Sequence, residues 1–196
     1  EYFFPESINL KNYALLLGPL YRFYIFYLNS IKVAFIAVSG CVITSSMAGY
    51  AFGRLRFPGR DTLFLLYLAT MMIPPQVTII PRYIMFYYAG FVNTHYSLIL
   101  PALVNVVATF LMRQFFMQIP NEISESAYID GAGEYNIFFR VIFPLAQPAV
   151  ISVVILIFSW VWNDYQNPLI FLHKKALYTL PLGVTVFAEE NNTQME

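Results

Sequence analysis

Charged residues are scarce in this chain of 196 residues. Asp, Glu, Lys and Arg together make up 11% of the sequence, whereas hydrophobic residues make up 59%. A soluble domain carries about 25% charged residues, so this chain could not cover a water-exposed surface with charge. The 11 acidic and 11 basic residues balance to a net charge of zero, which argues against nucleic acid as a partner.

Residues for redox, metal or hydrolytic chemistry are also missing. Cys41 is the single cysteine, so the chain forms no internal disulfide, and no Cys/His spacing indicates a metal site. The motifs Gly-x-Ser-Gly and His-Glu-x-x-His are absent, and the hydrophobic runs hold no paired Asp, which argues against a membrane-embedded enzyme. A Gly-Lys dipeptide is absent too, so there is no Walker A phosphate loop and we expect no cofactor.

What the chain does have is long hydrophobic runs. Four of them lack Asp, Glu, Lys and Arg altogether: 33–53, 62–81, 96–112 and 141–163. A membrane-spanning helix needs about 20 mostly apolar residues. We therefore predict an all-α polytopic membrane protein in a lipid bilayer, with four spans at about residues 29–53, 61–81, 97–116 and 148–171. An even number of spans puts the flanking segments 1–26 and 172–196 on the same side of the membrane.

Local signals add detail to the first two spans. Asn29 and Ser30 are residue types that cap helices, which places the start of the first helix there. Small residues then recur at every fourth position, a pattern typical of close helix packing: Ala37, Cys41, Ser45, Gly49 and Gly53. In the second span, Pro74, Pro75 and Pro81 are predicted to break the helix. The break is either a kink for packing or a flexible element beside a transport pathway.

A polar segment at about 117–147 separates the third and fourth spans. Pro120-Asn121 resembles a helix start, and Gly131 follows the last helical turn, where a positive φ is wanted. A second short helix is predicted to begin near Gly133 and to lead to Pro144. The product is a helical elbow at the membrane surface.

The charge of this elbow favours a protein partner. An amphipathic helix lying on lipid would carry Lys and Arg on its polar face, but this segment is mainly acidic. Ala127 and Ile123 lie one turn apart and give one face a low profile, which suits a helix laid into a groove of another protein.

The same residues carry a family resemblance. Glu125-Ser126-Ala127, three residues, Gly131, nine residues and Val141-Ile142-Phe143-Pro144 resemble the EAA loop of binding-protein-dependent ABC importer permeases. Ser126, Val141 and Phe143 replace the usual Ala, Ile and Leu. Other segments are similar to carbohydrate-type permeases, such as the smaller permease of maltose importers: Asn9–Tyr13, Asp130–Ala132, Trp162–Tyr165, Pro168-Leu169 and Tyr178–Gly183.

The resemblance implies a type I ABC importer permease fold in the cell membrane of a prokaryote. It implies a transport subunit and not an enzyme, working with ABC ATPase subunits, a second permease subunit and an extracytoplasmic solute-binding protein. The first and last of the usual six spans would be absent. The resemblance also implies that residues 113–147 are cytoplasmic. The charge pattern does not decide this orientation, because the loops on the two sides of the membrane carry nearly equal numbers of basic residues. The ATPase-coupling residues would be Glu125, Ser126, Ala127, Asp130, Gly131, Ala132 and Pro144.

Four residues are candidates for the translocation pathway. Polar residues inside a span mark pathways by default, which selects Asn105 in the third span and Asp164 near the end of the fourth. Asn105 could equally form a hydrogen bond between helices, and Asp164 could simply lie at the membrane–water interface. Pro74 and Pro75 complete the set as the flexible element.

Three other functions stay open. The solute could be an amino acid, a peptide or a phosphonate in place of a sugar. A membrane-embedded enzyme and a channel are the alternatives from other classes, although the chain shows neither a nucleophile motif nor a filter loop or charge ring.

Overall fold

A computed structural model describes residues 23–192, with side chains up to residue 188. Residues 1–22 and 193–196, which include the family-like segment at residues 9–13, lie outside the described residues. Every regular element between residues 23 and 192 is helical, so the predicted all-α fold class is confirmed.

The first half of the described chain holds five helices. They are α1 (Phe23–Arg54), α2 (Arg60–Ala69, extended by a 3-10 turn at Thr70–Met72), α3 (Pro75–Tyr88), α4 (Tyr96–Ala102) and α5 (Val106–Gln118). The second half holds α6 (Asn121–Ile129), α7 (Glu134–Ile137), a π-helical turn (Phe138–Ile142), α8 (Phe143–Leu145), α9 (Gln147–Trp162), α10 (Gln166–Phe171), a 3-10 turn (Lys175–Leu177) and α11 (Leu180–Asn192).

Two helical runs are long and apolar enough to cross a membrane, namely Phe23–Arg54 and Tyr96–Gln118. Two further pairs meet the same test only together, and each pair is bent: Arg60–Met72 with Pro75–Tyr88 by 96°, and Glu134–Leu145 with Gln147–Trp162 by 76°. Residues 23–192 therefore provide between two and four candidate spans, depending on whether a bent pair counts as one.

The start of α1 differs from the prediction. The helix already includes Phe23, so Asn29 and Ser30 lie inside it and do not cap it. Asn29 Nδ2 instead donates to the carbonyls of Ala176 at 2.9 Å and Tyr178 at 3.0 Å. The hydroxyl of Ser30 accepts a hydrogen bond from the Leu180 amide at 2.7 Å. These polar side chains hold the segment before α11 against α1.

Proline acts differently at its two positions in the second predicted span. The predicted break at Pro74-Pro75 is confirmed, since Pro74 is extended and Pro75 opens α3 at the 96° bend. The predicted break at Pro81 was wrong, because α3 continues through it to Tyr88. A single missing N–H does not unwind a helix of 14 residues whose other turns remain bonded.

The third predicted span is one run of membrane-spanning length, Tyr96–Gln118, but its helix is interrupted. Residues 103–105 separate α4 from α5, and Asn105 has extended backbone angles there. Its side-chain oxygen accepts from the Ala108 amide at 2.9 Å, so Asn105 is the N-cap of α5. Sequence periodicity did not reveal this break, because the hydrophobic run continues across it.

The hydrophobic core forms where α1 crosses α5 and α9. The predicted small-residue face is confirmed, since Ala37, Cys41, Ser45 and Gly49 are all buried. A Cβ added at Gly49 would lie only 2.7 Å from the Met112 Cβ, so the two helices approach closely at this point. The core continues from this crossing to the underside of the elbow.

Candidate functional site

The polar segment between α5 and α9 folds as the predicted elbow. It begins with α6, which starts at Asn121 directly after Pro120, and it turns back through α7, the π-helical turn and α8. The predicted helix start at Pro120-Asn121 and the second helix after Gly133 are therefore both confirmed.

The end of α6 explains the spacing from Ala127 to Gly131. Gly131 has φ +81°, which confirms the predicted positive φ. Its amide donates to the Tyr128 carbonyl at 2.9 Å, and the Ala132 amide donates to the Ala127 carbonyl at 2.9 Å. These two bonds form a Schellman motif, in which the glycine takes the left-handed position and apolar residues flank the turn. The motif satisfies two carbonyls that the helix end would leave free.

Arg54, the last residue of α1, holds the start of α6. Its Nη1 donates to the Ile119 carbonyl at 2.6 Å and to Asn121 Oδ1 at 2.9 Å. Its Nη2 donates to the Pro120 carbonyl at 3.2 Å and to Ser124 Oγ at 2.8 Å. We call these four bonds the Arg54 clamp. The guanidinium satisfies acceptors on both sides of the α5–α6 corner, and so it ties the elbow to α1.

Glu134 provides a second connection between the elbow and α1. The hydroxyl of Tyr50, one turn before Arg54, donates to Glu134 Oε2 at 2.7 Å. The hydroxyl of Tyr128 on α6 donates to Glu134 Oε1. The bond to this carboxylate raises the pKa of Tyr128 above its usual value, because it favours the protonated phenol. A single carboxylate thus joins α1, α6 and α7.

The two faces of α6 have different roles. Ile123, Ala127 and Ala132 are half-buried and pack against the chain's own core, so the expectation that the Ala127 face enters a partner's groove was wrong. A small residue fits there because α6 packs against α7 and the π-helical turn of the same elbow. The opposite face is exposed and carries Glu122, Glu125, Ser126 and Asp130.

The exposed side of the elbow is both acidic and apolar. Within the described residues, the carboxylates of Glu122, Glu125 and Asp130 make no hydrogen bond or ion pair. Beside them, the side chains of Ile129 and Tyr135 are 87% and 77% exposed. Apolar side chains that form a continuous exposed patch mark interaction sites, so these two residues are candidates for contact with a partner.

Pro144 lies just after the π-helical turn, at the start of α8. A proline ring clashes with the carbonyl four residues earlier, which here belongs to Arg140. A widened turn before Pro144 relieves that clash, and the Phe143 amide accordingly donates to the Phe138 carbonyl five residues back. Pro144 therefore shapes the return of the chain towards α9.

The predicted pathway residues do not all lie together. Asn105 and Asp164 line the same cavity, of about 610 Å³, between α4, α9 and α10. Pro74 and Pro75 are exposed at the α2–α3 bend and are not among the residues that line this cavity. Asp164 accepts hydrogen bonds from the Asn167 amide and from Asn167 Nδ2, at 3.1 and 2.8 Å.

Sequence reasoning missed the residues that hold these sites together. Arg54, Tyr50, Glu134 and Arg82 were given no role at the elbow or the cavity. The bonds Arg54–Ile119, Tyr50–Glu134 and Arg82–Asn167 join residues 65, 84 and 85 positions apart, and no local pattern identifies such pairs. Between residues 23 and 192, no three His, Cys, Asp or Glu side chains come together to hold a metal ion.

Comparison with known proteins identifies the family. Residues 40–194 match the model of the family described as binding-protein-dependent transport system inner membrane component. The chain is 34% identical over 182 residues to the arabinooligosaccharides transport system permease protein AraQ of Halalkalibacterium halodurans, covering 93% of this chain and 65% of AraQ. It is 33% identical over 156 residues to the sn-glycerol-3-phosphate transport system permease protein UgpE of Brucella abortus, covering 80% of this chain and 55% of UgpE.

A solved structure agrees with the sequence matches. The fold superposes with a TM-score of 0.83 on a chain of a bacterial ABC transporter involved in the import of the acidic polysaccharide alginate. The sequences are 25% identical, and the match covers 93% of this chain and 63% of the other. The chain thus spans less than two thirds of the length of each of these three relatives. On this basis, the chain belongs to the family of binding-protein-dependent transport system inner membrane components.

Proposed function

We propose that this chain is the permease subunit of an ATP-driven, binding-protein-dependent sugar importer, coupled to a separate ATPase through its elbow. The observation that carries the proposal is an acidic, solvent-facing helix tied by side-chain bonds to a membrane-length helix. The name of AraQ, a permease of an arabinooligosaccharide transport system, supports a sugar as the solute. The solved relative is an ABC transporter, which supports an ATP-driven importer.

The exposed face of α6 is the proposed ATPase-docking surface. Its unpaired carboxylates, Glu122, Glu125 and Asp130, would meet basic residues of the ATPase, and the exposed Ile129 would enter an apolar pocket. Buried charge pairs combined with an apolar anchor are the contacts that dominate protein interfaces. Ser126 belongs to the same surface, whereas Ala127, Gly131, Ala132 and Pro144 act by shaping the elbow.

Force would pass from the elbow into α1. The Arg54 clamp and the Tyr50–Glu134 bond lie one helical turn apart on α1, so movement of α6 by the ATPase would pull on two neighbouring points of that helix. The core beneath the elbow contains residues of α1, α5 and α9, which would move with it. This gives ATPase closure a route to the membrane helices.

The length of α1 supports opposite placement of its two ends. Ser30 contacts the segment before α11, and Arg54 contacts the elbow. The 24 residues between them span about 36 Å at a rise of about 1.5 Å per residue, which exceeds the roughly 30 Å thickness of the hydrocarbon core. This separation fits the proposed topology, in which residues 113–147 are cytoplasmic and residues 172–196 lie outside a prokaryotic cell membrane.

The translocation pathway is proposed to include the cavity that holds Asn105 and Asp164. The bend at Pro74-Pro75 would let α3 change its angle to α2 during transport, as expected for irregular backbone beside a pathway. A second permease subunit would complete the pathway, and an extracytoplasmic solute-binding protein would deliver the sugar to the side that carries α11.

Topology can be tested by cysteine labelling. In a Cys41→Ala background, Ser126→Cys and Lys174→Cys place single thiols on exposed residues at the two ends of the bundle. An impermeant maleimide added to intact cells should label position 174 only, and labelling of both should follow lysis. Labelling of position 126 in intact cells would overturn the proposed orientation.

Transport itself can be tested by reconstitution. The full-length permease, co-expressed with the second permease, ATPase and binding protein of its own operon, should take up radiolabelled arabinotriose into proteoliposomes only when ATP is inside. Proteoliposomes with an ATPase that binds but does not hydrolyse ATP provide the control. Uptake that proceeds equally without hydrolysis would contradict an ATP-driven importer.

A further inference from the structure

The turn between α1 and α2 forms a basic surface at the end of a membrane-length helix. It borders an open depression of about 690 Å³ that is lined by residues 56–62. The stretch of α1 from Ser30 to Arg54 already exceeds the roughly 30 Å of the hydrocarbon core, at about 1.5 Å per residue. Residues 55–62 therefore lie at the level of the lipid headgroups.

The turn carries more positive than negative charge. Arg60 and Arg113 share one carboxylate, since Arg60 Nε lies 3.0 Å and Arg113 Nη2 lies 3.5 Å from Asp61 Oδ1. Arg56 is exposed and makes no hydrogen bond or ion pair within the described residues. Three cations against one carboxylate leave a surplus of two positive charges, which attract anions of the headgroup layer.

An exposed apolar surface begins directly beside this charge. The side chains of Phe57, Leu63 and Leu66 are 38%, 52% and 63% exposed. Leu63 and Leu66 are three positions apart on α2, so they lie on the same face one turn apart. A basic rim above an apolar helix face matches the two parts of an anionic phospholipid, its phosphate and its acyl chains. A free phosphate ion would use the rim alone.

We propose that the α1–α2 turn binds an anionic phospholipid, with its phosphate at Arg56 and Arg60 and an acyl chain along the exposed face of α2. Arg60 is held in place, because its Nη1 donates to the Leu55 carbonyl at 3.2 Å and its Nε donates to Asp61 Oδ1 at 3.0 Å. Arg56 keeps its donors free for the phosphate, and a guanidinium can bind two phosphate oxygens at once. Arg56 is therefore the residue on which the preference for anionic lipid depends most.

The elbow at the same end of α1 carries the opposite charge. Arg54 ties α6 to this end of the helix, and the exposed face of α6 carries Glu122, Glu125 and Asp130. Anionic lipid attracts the basic turn and repels these carboxylates. Lipid binding thus holds the turn in the headgroup layer and leaves the acidic face of α6 in water, where the proposed docking surface is accessible. The lipid preference is independent of which solute is transported.

Photo-crosslinking locates the lipid. The full-length permease–ATPase complex is placed in nanodiscs with equal amounts of phosphatidylglycerol and phosphatidylcholine, one of which carries a diazirine near the start of an acyl chain. Met47 and Met71 allow cyanogen bromide to release residues 48–71, and with them the whole turn, as one fragment. Illumination should attach at least about five times more phosphatidylglycerol than phosphatidylcholine to this fragment, because each cation beside an anionic lipid contributes about a fivefold preference.

Arg56→Gln tests the residue, and Lys174→Gln is its matched control. Arg56→Gln removes one surplus charge, so the preference measured on residues 48–71 should fall about fivefold. Lys174 is an exposed cation in the segment before α11, at the other end of α1, and its loss should leave that preference unchanged. Arg56 takes no part in the Arg54 clamp, so α6 should stay attached in both variants. Equal labelling by the two lipids in the wild type, or an Arg56→Gln variant no different from Lys174→Gln, would overturn the lipid site.

Native mass spectrometry provides a measurement that does not depend on the photoreaction. Released from nanodiscs of the same composition, the wild-type complex should retain more phosphatidylglycerol than the Arg56→Gln complex, and as much as the Lys174→Gln complex. Excess inorganic phosphate in the buffer should not displace this lipid, because an ion lacks the acyl chains that contact α2. Displacement by inorganic phosphate would indicate an ion site and overturn the assignment to a lipid.

Discussion

Replacement of Arg54 by Met should loosen the elbow from α1 while the membrane helices stay folded. The change keeps most of the side chain's apolar length and removes all four hydrogen bonds of the Arg54 clamp. A hydrogen bond to a charged group contributes about 1.5–3 kcal/mol, and bonds from one side chain do not add in full.

Two of the four acceptors decide the magnitude. Asn121 and Pro120 are exposed, so water can replace Arg54 as their donor, whereas Ile119 is buried and Ser124 is half-buried. Losing the bonds to these last two residues should cost about 2–3 kcal/mol. That corresponds to a roughly 30- to 150-fold rise in the population with a detached elbow, since about 1.4 kcal/mol is tenfold.

Hydrogen–deuterium exchange measures this opening directly. In lipid nanodiscs, the amides of residues 121–129 should exchange faster in Arg54→Met than in the wild type by a similar factor, while those of α1 and α5 stay protected. In the reconstituted importer, ATP hydrolysed per solute transported should rise, because ATPase movement would no longer be passed fully to α1.

Arg56→Met is the matched control for this prediction. Arg56 lies two residues after Arg54, is exposed, and makes no hydrogen bond or ion pair within the described residues. It should leave both exchange and coupling unchanged. Equal exchange at residues 121–129 in wild type and Arg54→Met would refute the reasoning, as would an equal loss of coupling in the Arg56 control.

Three further substitutions test the elbow and the helix crossing. Gly131→Val should cost about 1–2 kcal/mol through its positive φ alone, since no atom lies within 4 Å of its added Cβ, and recovery of the ATPase in pull-downs should fall. Glu125→Gln should weaken ATPase affinity at least tenfold in a purified-complex titration, about 1.4 kcal/mol, without changing the Tm of the permease. A fall of less than threefold would restrict Glu125 to a role within α6. Gly49→Ala should lower stability by about 1–3 kcal/mol, because its Cβ would meet Met112 at 2.7 Å. Gly133→Ala is the control for the two glycine variants, because φ there is −77° and the space around the residue is open, so the Tm should not change.

Local chemistry in the sequence was enough to predict several features. Composition identified an all-helical membrane protein, because long runs without charge have few other stable environments. The α6 start at Asn121 and the positive φ at Gly131 were both predictable, since helix ends depend on residues within a few positions of each other. The small-residue face of α1 was predictable for the same reason, as it follows from spacing along one helix.

Only the tertiary structure decided how these parts are joined. Arg54 lies 65 positions from Ile119, and Tyr50 lies 84 positions from Glu134, so their bonds depend on how α1 packs against the elbow. The inward orientation of Ala127 depends on the same packing, and it reversed the face expected to meet a partner. Arg82, Asn105 and Asp164 line one cavity although they come from α3, from the break between α4 and α5 and from the connection between α9 and α10. Periodicity reports which face of a helix is apolar, but not which neighbour that face meets, and side-chain hydrogen bonds between helices form only once the neighbours are set.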